Sequence, residues 1–313
     1  MHEIVTSAVK KFFVIISTFV IVAFVFCLFI KANAAWPVPK GEKTDGYELV
    51  FEDHFNGDKL DTARWSIPPR GNSTWSRWIS KDKEVIRIKK GKLICRAIPN
   101  KDSSQDSAAM LTGAIWTKDK FAFKYGRVEV RMRTNLQPGN FPAAWMGRQW
   151  KKGHVPPYGE IDIVEMVGND RKARHAFHTE YTTKTPRHGI KNSFMERVDV
   201  NKWHIYGIEW TPEHIYWYVD GEITGRHYKP QNSNAQNEWT FDVPFYLLLN
   251  QSIMHGVHGI KADLDKTYET QFDWIKVYQK SYELTEKLRI CNCAAFSRHS
   301  SAYKIFSPIQ EIP

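Results

Sequence analysis

Short segments in which apolar and polar residues alternate follow one another from Tyr47 to Gln279. The segment 126–133 shows the pattern clearly, because valine and methionine alternate with arginine and glutamate. Successive side chains of a β-strand point to opposite faces, so this period of two predicts strands with one buried face. Further predicted strands cover 84–88, 92–96, 161–166, 204–210, 215–219, 245–250 and 271–278. No long stretch has a helical period, and we predict an all-β sandwich or jelly roll with a concave face that suits a linear chain.

Residues 1–34 differ from the rest of the chain. Lys10 and Lys11 precede a run of 19 apolar or small residues, Phe12 to Ile30, and small residues then lead to Ala34. The run is longer than the usual ~7 to 15 residues of a signal peptide and just reaches membrane-spanning length. We predict a signal peptide cleaved after Ala34, with an uncleaved membrane anchor as the alternative. Under both interpretations the residues that follow are exported to the periplasm, the cell surface or the medium, because the positive charge precedes the apolar run.

Three segments follow the targeting sequence. Residues 35–46 contain two prolines and form a leader, and residues 47–280 carry the whole strand pattern. All-β folds often use roughly 200 to 250 residues as one unit, so we predict a single domain at 47–280. Residues 281–313 have no convincing period and form a C-terminal tail of unknown role.

The chain is basic, with a formal net charge of +10. Without residues 1–34 it keeps 41 basic and 33 acidic residues, a net charge of +8. A solvated cationic surface is the simpler interpretation, and attraction to an acidic or sulfated glycan is the functional one. No basic tract accompanies a known nucleic-acid motif, so we do not expect a nucleic-acid partner.

Cysteine usage gives little information. Cys95, Cys291 and Cys293 remain after cleavage at Ala34. Three thiols cannot all pair within one chain, and a Cys-x-Cys pair is too close for an easy mutual disulfide. These cysteines also make a poor zinc site, because no further Cys/His pair stands at the usual spacing.

Three acidic residues fall within six positions, at Glu160, Asp162 and Glu165. On a flat strand Glu165 would point away from the other two, since side chains alternate. One extra residue at a β-bulge near 163–164 would return Glu165 to their face, and bulges are common beside active sites. We predict such a bulge and an acidic row on a concave face. A solvent-exposed strand edge or a cation site is the alternative for this short motif.

An acidic row suits retaining glycoside hydrolysis. Neighbouring carboxylates cannot all ionise easily, so at least one pKa rises. A retaining glycosidase uses one ionised carboxylate as nucleophile and one protonated carboxyl as acid, about 5 to 5.5 Å apart. Positions so close on one strand fit that spacing better than the wider gap of an inverting enzyme. Asp162 would assist by hydrogen bonding between the two glutamates.

The hexapeptide at 160–165 resembles that of glycoside hydrolase family 16, in the laminarinase-like branch that carries the bulge. Phe141-Pro142-Ala143-Ala144-Trp145-Met146 precedes it and Phe177-His178-Thr179 follows it. The resemblance continues through segments at 51–55, 125–129, 209–212, 219–221, 249–252 and 272–278, and so covers 47 to 279. It implies a β-jelly roll of the concanavalin A or lectin-like type with a sugar-binding cleft. It also implies endo-acting hydrolysis with net retention, most naturally of a β-1,3- or mixed-linkage β-1,3/1,4-glucan.

The resemblance also implies roles for single residues. Glu160 matches the nucleophile, Asp162 the assisting acid and Glu165 the acid/base. Trp145 matches an aromatic side chain that lines the cleft, where a ring stacks on the apolar face of a sugar. His178 matches a histidine that approaches the acidic row, for binding or for holding Glu165.

Two further residues have weaker matches. Gln251 is expected to reach sugar hydroxyls from another inner strand, with structural hydrogen bonding as the equal alternative. Asp273, with the backbone near Gly91 and Glu52, matches the ligands of a structural calcium ion found in some members, although an ordinary ion-pair partner is the simpler interpretation. No cofactor is expected for catalysis.

The sequence leaves competing functions open. The same fold and acids would serve an endo-β-galactosidase on keratan, mucin-type or algal galactans, because specificity depends on loops that match no assignable pattern. A transglycosylase would share the catalytic residues as well. A non-catalytic lectin is the third alternative, since fold does not fix function, but a lectin has no use for three clustered carboxylates. We expect a monomer whose partner is a polysaccharide substrate. We expect association with a membrane only if the N-terminal segment is uncleaved.

Overall fold

The period-two segments form fourteen β-strands and one short helix in the part of the chain that the computed structural model describes, residues 46–280 without 151–152, 155, 186–188 and 232–236. The strands are β1 (Tyr47–Asp53), β2 (Ile86–Ile88), β3 (Leu93–Pro99), β4 (Met110–Trp116), β5 (Gly126–Thr134), β6 (Asn140–Arg148), β7 (Gly159–Glu165), β8 (Lys172–Thr179), β9 (Ser193–Arg197), β10 (His204–Trp210), β11 (His214–Val219), β12 (Glu222–Tyr228), β13 (Phe245–Ile253) and β14 (Tyr268–Lys280). The helix is α1 (Glu180–Lys184), which Thr179 caps.

The predictions for the two ends of the chain concern residues that the structure does not describe. The predicted signal peptide or anchor, the leader up to residue 45, the tail at 281–313 and the two cysteines within it lie outside the described residues. Within those described, Cys95 is a free and fully buried thiol, and burial raises its pKa. A search of the same residues for a helix long and apolar enough to cross a membrane finds none.

The strands join in one antiparallel sheet that curves back on itself. Their order is β12-β11-β10-β5-β14-β3-β4-β13-β6-β7-β8-β9, with β1 beside β14 and β2 beside β3. Phe194 of β9 packs against the backbone of Gly225 in β12, where an added Cβ would lie 2.8 Å from the ring. The two ends of the sheet therefore approach each other, and the all-β prediction is confirmed.

The core lies between the two halves of the curved sheet. Trp210 of β10 makes edge-to-face contacts with Phe123 and Phe245, at ring distances of 5.8 and 5.3 Å. Such aromatic pairs stabilise a core beyond the area that they bury. Ile161 and Trp217 are fully buried in the same cluster. Strand β7 thus has its apolar face in the core, which directs its acidic residues to the opposite, concave face.

Candidate active site

The predicted bulge interrupts β7 at Ile163 and Val164. On the β8 side the ladder pairs Asp162 with Ala176 and Glu165 with Arg174, so that two residues of β7 stand opposite one of β8. On the β6 side the register shifts at the same level. Ile163 and Val164 both lie in the hydrophobic core. The extra residue therefore returns the side chain of Glu165 to the face of Glu160 and Asp162, as the sequence spacing predicts.

Two core side chains bind backbone carbonyls at the bulge. The indole Nε1 of Trp217 donates to the carbonyl oxygen of Asp162 at 2.8 Å, and His175 Nδ1 donates to that of Ile163 at 2.6 Å. A buried carbonyl without a partner would destabilise the fold, and a bulge disrupts the regular ladder. These two contacts come from β11 and β8, and they fix two successive carbonyls of the backbone just before Glu165.

The acidic row and one histidine share the concave face. His178, opposite Glu160 in the ladder, places Nε2 3.7 Å from Glu160 Oε1 and 3.5 Å from Asp162 Oδ2. Arg174, opposite Glu165, places Nη1 3.3 Å from Glu165 Oε1. The structure therefore brings His178 to the row as expected, but beside Glu160 and Asp162, while an arginine contacts Glu165.

Burial and mutual repulsion raise the pKa of all three carboxyls. Burial raises the pKa of Glu160 to about 8, and the charge of Asp162 adds to the rise. Burial raises the pKa of Asp162, with the charge of Glu165 as the second cause, and burial also raises the pKa of Glu165. Arg174 opposes both of the latter rises. The row therefore retains a proton near neutral pH, as acid/base chemistry on paired carboxyls requires.

An open aromatic pocket of about 250 Å³ adjoins Glu160. Trp145 forms part of its wall, is 7% exposed and donates from Nε1 to Asn250 Oδ1 at 2.8 Å. Gly147, opposite Glu160 on β6, leaves no room for a side chain, since a Cβ would lie 2.7 Å from the hydroxyl of Tyr246. The other rings on this wall are Trp75, Trp150, Tyr158 and Tyr246. Carboxyls beside flat aromatic walls suit the binding and cleavage of a pyranose.

Comparison with known proteins identifies this arrangement. A model of the family "Glycosyl hydrolases family 16" matches residues 74–276, which include β7 and most of the concave face. The chain belongs to glycosyl hydrolase family 16. The resemblance predicted from the acidic hexapeptide is therefore confirmed.

Family 16 relatives differ in the glycans that their names mention. The chain is 30% identical over 239 residues to a keratan-sulfate endo-1,4-beta-galactosidase of Sphingobacterium multivorum, across 75% of this chain and 56% of that protein. It is 30% identical over 258 residues to a beta-glucanase of Rhodothermus marinus, across 77% of this chain and 88% of that protein. The chain spans about half the length of several curated relatives that it matches, or less.

A solved family 16 structure supports the predicted jelly roll. The crystal structure of a laminarinase from Flavobacterium matches with a TM-score of 0.63 at 28% identity, across 74% of this chain and 100% of that chain. The described strands thus form the fold of family 16 laminarinases, and the prediction of a β-sandwich jelly roll is confirmed.

Gln251 does not lie in the family 16 cleft, which corrects its predicted role. Its side chain is fully buried, with Nε2 donating to Asn140 Oδ1 at 2.7 Å and Oε1 accepting from Thr270 at 2.6 Å. The alternation along β13 turns Gln251 toward the core, whereas Asn250 turns toward Trp145. The structural alternative is therefore the one that the contacts support, and Asn250 is the β13 amide on the cleft face.

Asp273 does not suit a calcium ion in this structure. Its carboxylate accepts a hydrogen bond from the guanidinium of Arg131 and lies 3.6 Å from Lys92 Nζ. The carbonyl oxygen of Glu52, another expected ligand, accepts from the guanidinium of Arg64. Calcium requires six to eight oxygen ligands, and basic side chains occupy these oxygens instead. Asp273 and Glu52, two of the residues that matched a calcium site, thus form ion pairs and hydrogen bonds with basic side chains.

Several residues of the site were not predicted from the sequence. The hydroxyl of Tyr158 donates to Glu160 Oε2 at 2.6 Å, and Trp75 packs edge-to-face on Trp145 with ring centroids 5.0 Å apart. Both come from loops, whose sequence carries no periodic signal. Arg174 was detectable in principle, because it stands an even number of residues before His178 on one strand and therefore shares its face.

Proposed function

We propose that this protein is a retaining, endo-acting glycoside hydrolase that cleaves a β-1,3- or mixed-linkage β-1,3/1,4-glucan. The observation that carries the proposal is the bulge at Ile163 and Val164, which places Glu160, Asp162 and Glu165 on one concave face beside an open aromatic pocket. The shape of the site supports endo action, because an open cleft admits an internal segment of a long chain. The names of several relatives support a glucan as substrate.

The proposed reaction is a double displacement. Ionised Glu160 attacks the anomeric carbon while Glu165 donates its proton to the leaving glycosidic oxygen, which gives a covalent glycosyl-enzyme. Glu165 then takes a proton from water, the water attacks the anomeric carbon, and Glu160 leaves. Nearby His178 and the hydrogen bond from Tyr158 both lower the pKa of Glu160, and so favour its ionised form. Asp162 stands between the two glutamates and controls how they share protons.

The first test is reducing-end release by the purified chain on laminarin, barley mixed-linkage glucan, agarose, keratan sulfate and mucin O-glycans, with product sizes recorded. Oligomers of several sizes from a glucan support the proposal. Glu160→Ala is the matched control and should release nothing while it still binds the glycan. Hydrolysis of every glycan at background rate by folded wild-type protein would contradict the proposed activity.

An endo-β-galactosidase is the second candidate for this site. Two observations favour it: the keratan-sulfate endo-1,4-beta-galactosidase among the relatives, and the arginine in contact with Glu165. The catalytic steps would be unchanged, because both substrates have β-linked pyranoses. Products only from keratan sulfate or mucin O-glycans in the same assay would establish this alternative and exclude the glucan.

We also infer that the enzyme is exported and acts as a monomer on an external polysaccharide. Support for export comes from Lys10 and Lys11, the apolar run to Ile30 and the small residues before Ala34. Cell fractionation with N-terminal mass analysis tests it. A mature chain that begins at Ala35 supports a signal peptide, a full-length chain in the membrane fraction supports an anchor, and full-length protein in the cytoplasm contradicts export.

A further inference from the structure

Beyond Glu165, basic residues continue along the concave face. The ladder pairs Glu165 with Arg174, Arg174 with Met195, and Lys172 with Arg197, and directly paired residues share a face. The cleft floor therefore passes from the carboxyl row to two arginines on neighbouring strands. Nothing in neutral glycan hydrolysis calls for this charge.

Arg174 retains capacity to bind an anion. Its side chain is 33% exposed, and its contact with Glu165 Oε1 at 3.3 Å is longer than a good charge-assisted hydrogen bond. Its Nε is buried without a hydrogen-bond partner among the described residues. A guanidinium offers five donors in a fork that matches oxyanions such as carboxylate and sulfate. One loosely held carboxylate thus leaves most of these donors unused.

Arg197 is the second cation of this patch. It is exposed, and no carboxylate of the described residues lies within 4.0 Å of it, whereas its neighbour Lys172 is paired with Asp170 at 3.0 Å. Between the arginines stands Met195, which is 56% exposed on the same face. An exposed apolar side chain flanked by cations suits the apolar edge of a sugar that carries a charged group.

We propose that Arg174, with Arg197 beyond it, binds an oxyanion substituent, a sulfate ester or a carboxylate, on a sugar that adjoins the cleaved bond. The proposal rests on the proposed function, since Glu165 must contact the glycosidic oxygen and its neighbour then faces a sugar next to the cut. This site makes the anionic form of a glycan a better substrate than its neutral counterpart.

The position of Arg174 also links substrate charge to catalysis. A cation beside Glu165 favours its ionised form, but the first step needs the carboxyl protonated. Burial already raises the pKa of Glu165, and an anionic substituent that neutralises Arg174 would raise it further and so favour the protonated acid. An anionic substrate therefore gains in kcat as well as in KM.

The test compares keratan sulfate with the same polysaccharide after chemical desulfation, and laminarin before and after oxidation of its primary hydroxyls to carboxylates. The first pair probes a sulfate and the second a carboxylate. For the wild type we expect a kcat/KM at least tenfold higher on the anionic member of one pair. Arg174→Gln should bring that ratio close to one. Arg226→Gln, an exposed arginine of β12, is the matched control and should keep the wild-type ratio.

Two results would overturn the proposal. One is a wild-type ratio at or below one in both pairs, and the other is an equal loss on both members in Arg174→Gln, which would make Arg174 a support for Glu165 only. Calorimetry with the inactive variant Glu160→Ala tests the anion site by binding alone, so that a failure of the proposed hydrolysis can be distinguished from a failure of the anion site. This variant should bind sulfated or oxidised oligosaccharides at least tenfold more tightly than neutral ones, and additional Arg174→Gln should remove the difference.

Discussion

The Nδ1 atom of His175 lies 2.6 Å from the carbonyl oxygen of Ile163, the residue at which β7 bulges. A carbonyl only accepts, so Nδ1 carries the proton and the other ring nitrogen accepts from the hydroxyl of Thr224 at 2.9 Å. Burial lowers the pKa of His175 to about 4, which keeps the ring neutral above that pH. A buried neutral histidine thus ties the bulge to β12, and Glu165 stands two residues beyond the fixed carbonyl.

Replacing His175 by Ala should damage catalysis more than the fold. The variant leaves the buried carbonyl of Ile163 and the half-buried hydroxyl of Thr224 without this partner and opens a small cavity, which costs roughly 2–4 kcal/mol of unfolding free energy. Since the bulge directs Glu165, we expect kcat to fall at least tenfold with a smaller change in KM. Urea unfolding and steady-state kinetics check both values, and His175→Asn should restore part of kcat by donating to the same carbonyl.

Thr224→Val is the control for this prediction. It removes the outer partner of His175 but leaves the bond to Ile163, so it should lower stability with little change in kcat. Wild-type kcat in folded His175→Ala would show that the bulge needs no side-chain support.

The bulge could be predicted from the sequence, whereas its support could not. Three acids that must share a face at positions 160, 162 and 165 require one extra residue, and the ladder has it at that point. The contacts of Trp217 with Asp162 and of Thr224 with His175 join strands that are distant along the chain, so no local sequence pattern predicts them. A histidine within an alternating strand has the same appearance in a sequence whether it is free or bonded to a carbonyl.

Gln251 and Asp273 show two other limits of the sequence. Asn250, Gln251 and Ser252 are consecutive polar residues after three consecutive leucines, so the sequence does not show which of them turns inward. In the structure Gln251 shares the core face with Leu247 and Leu249. Asp273 contacts Arg131 of β5 and Lys92, which lies just before β3. An acidic residue on a strand does not reveal whether a metal ion or an arginine balances its charge.

Gln251→Met should destabilise the protein without weakening substrate binding. The change keeps the side-chain volume but removes the hydrogen bonds to the amide oxygen of Asn140 and from the hydroxyl of Thr270, which keeps only its bond to Thr134 on another strand. Unsatisfied buried groups cost about 1–3 kcal/mol each, so we expect a loss of about 2–4 kcal/mol in urea unfolding with KM unchanged. Gln105→Met, at an exposed position, should change neither quantity. A raised KM at unchanged stability would return Gln251 to the substrate site.

Glu160→Gln should stabilise the fold increasingly as pH rises. The folded state holds the pKa of Glu160 at about 8 against an ordinary value of 4.5, so it binds the proton more tightly than the unfolded chain. The contribution of Glu160 to the stability of the folded state is therefore complete below about pH 4.5 and is lost as pH rises to about 8. Glutamine never ionises, and the Tm advantage of the variant should grow between pH 5 and pH 8. Exposed Glu222→Gln serves as control, and a Tm difference for Glu160→Gln that does not depend on pH would contradict the raised pKa.

Trp145→Phe tests whether the ring of Trp145 binds substrate as a wall of the cleft or only fills space in the core. Trp145 is buried on the cleft face, where its indole contacts Trp75 and bonds to Asn250, and phenylalanine keeps a ring but loses the bond and part of the wall. We expect a loss of about 1–2 kcal/mol in unfolding free energy and, because a smaller ring stacks less on a sugar, a several-fold rise in KM with kcat less affected. The matched control is Trp203→Phe on the outer face, where the ring contacts the guanidinium groups of Arg131 and Arg133. If both variants lose stability and both keep the wild-type KM, Trp145 fills space and the sugar rests on other rings of the pocket.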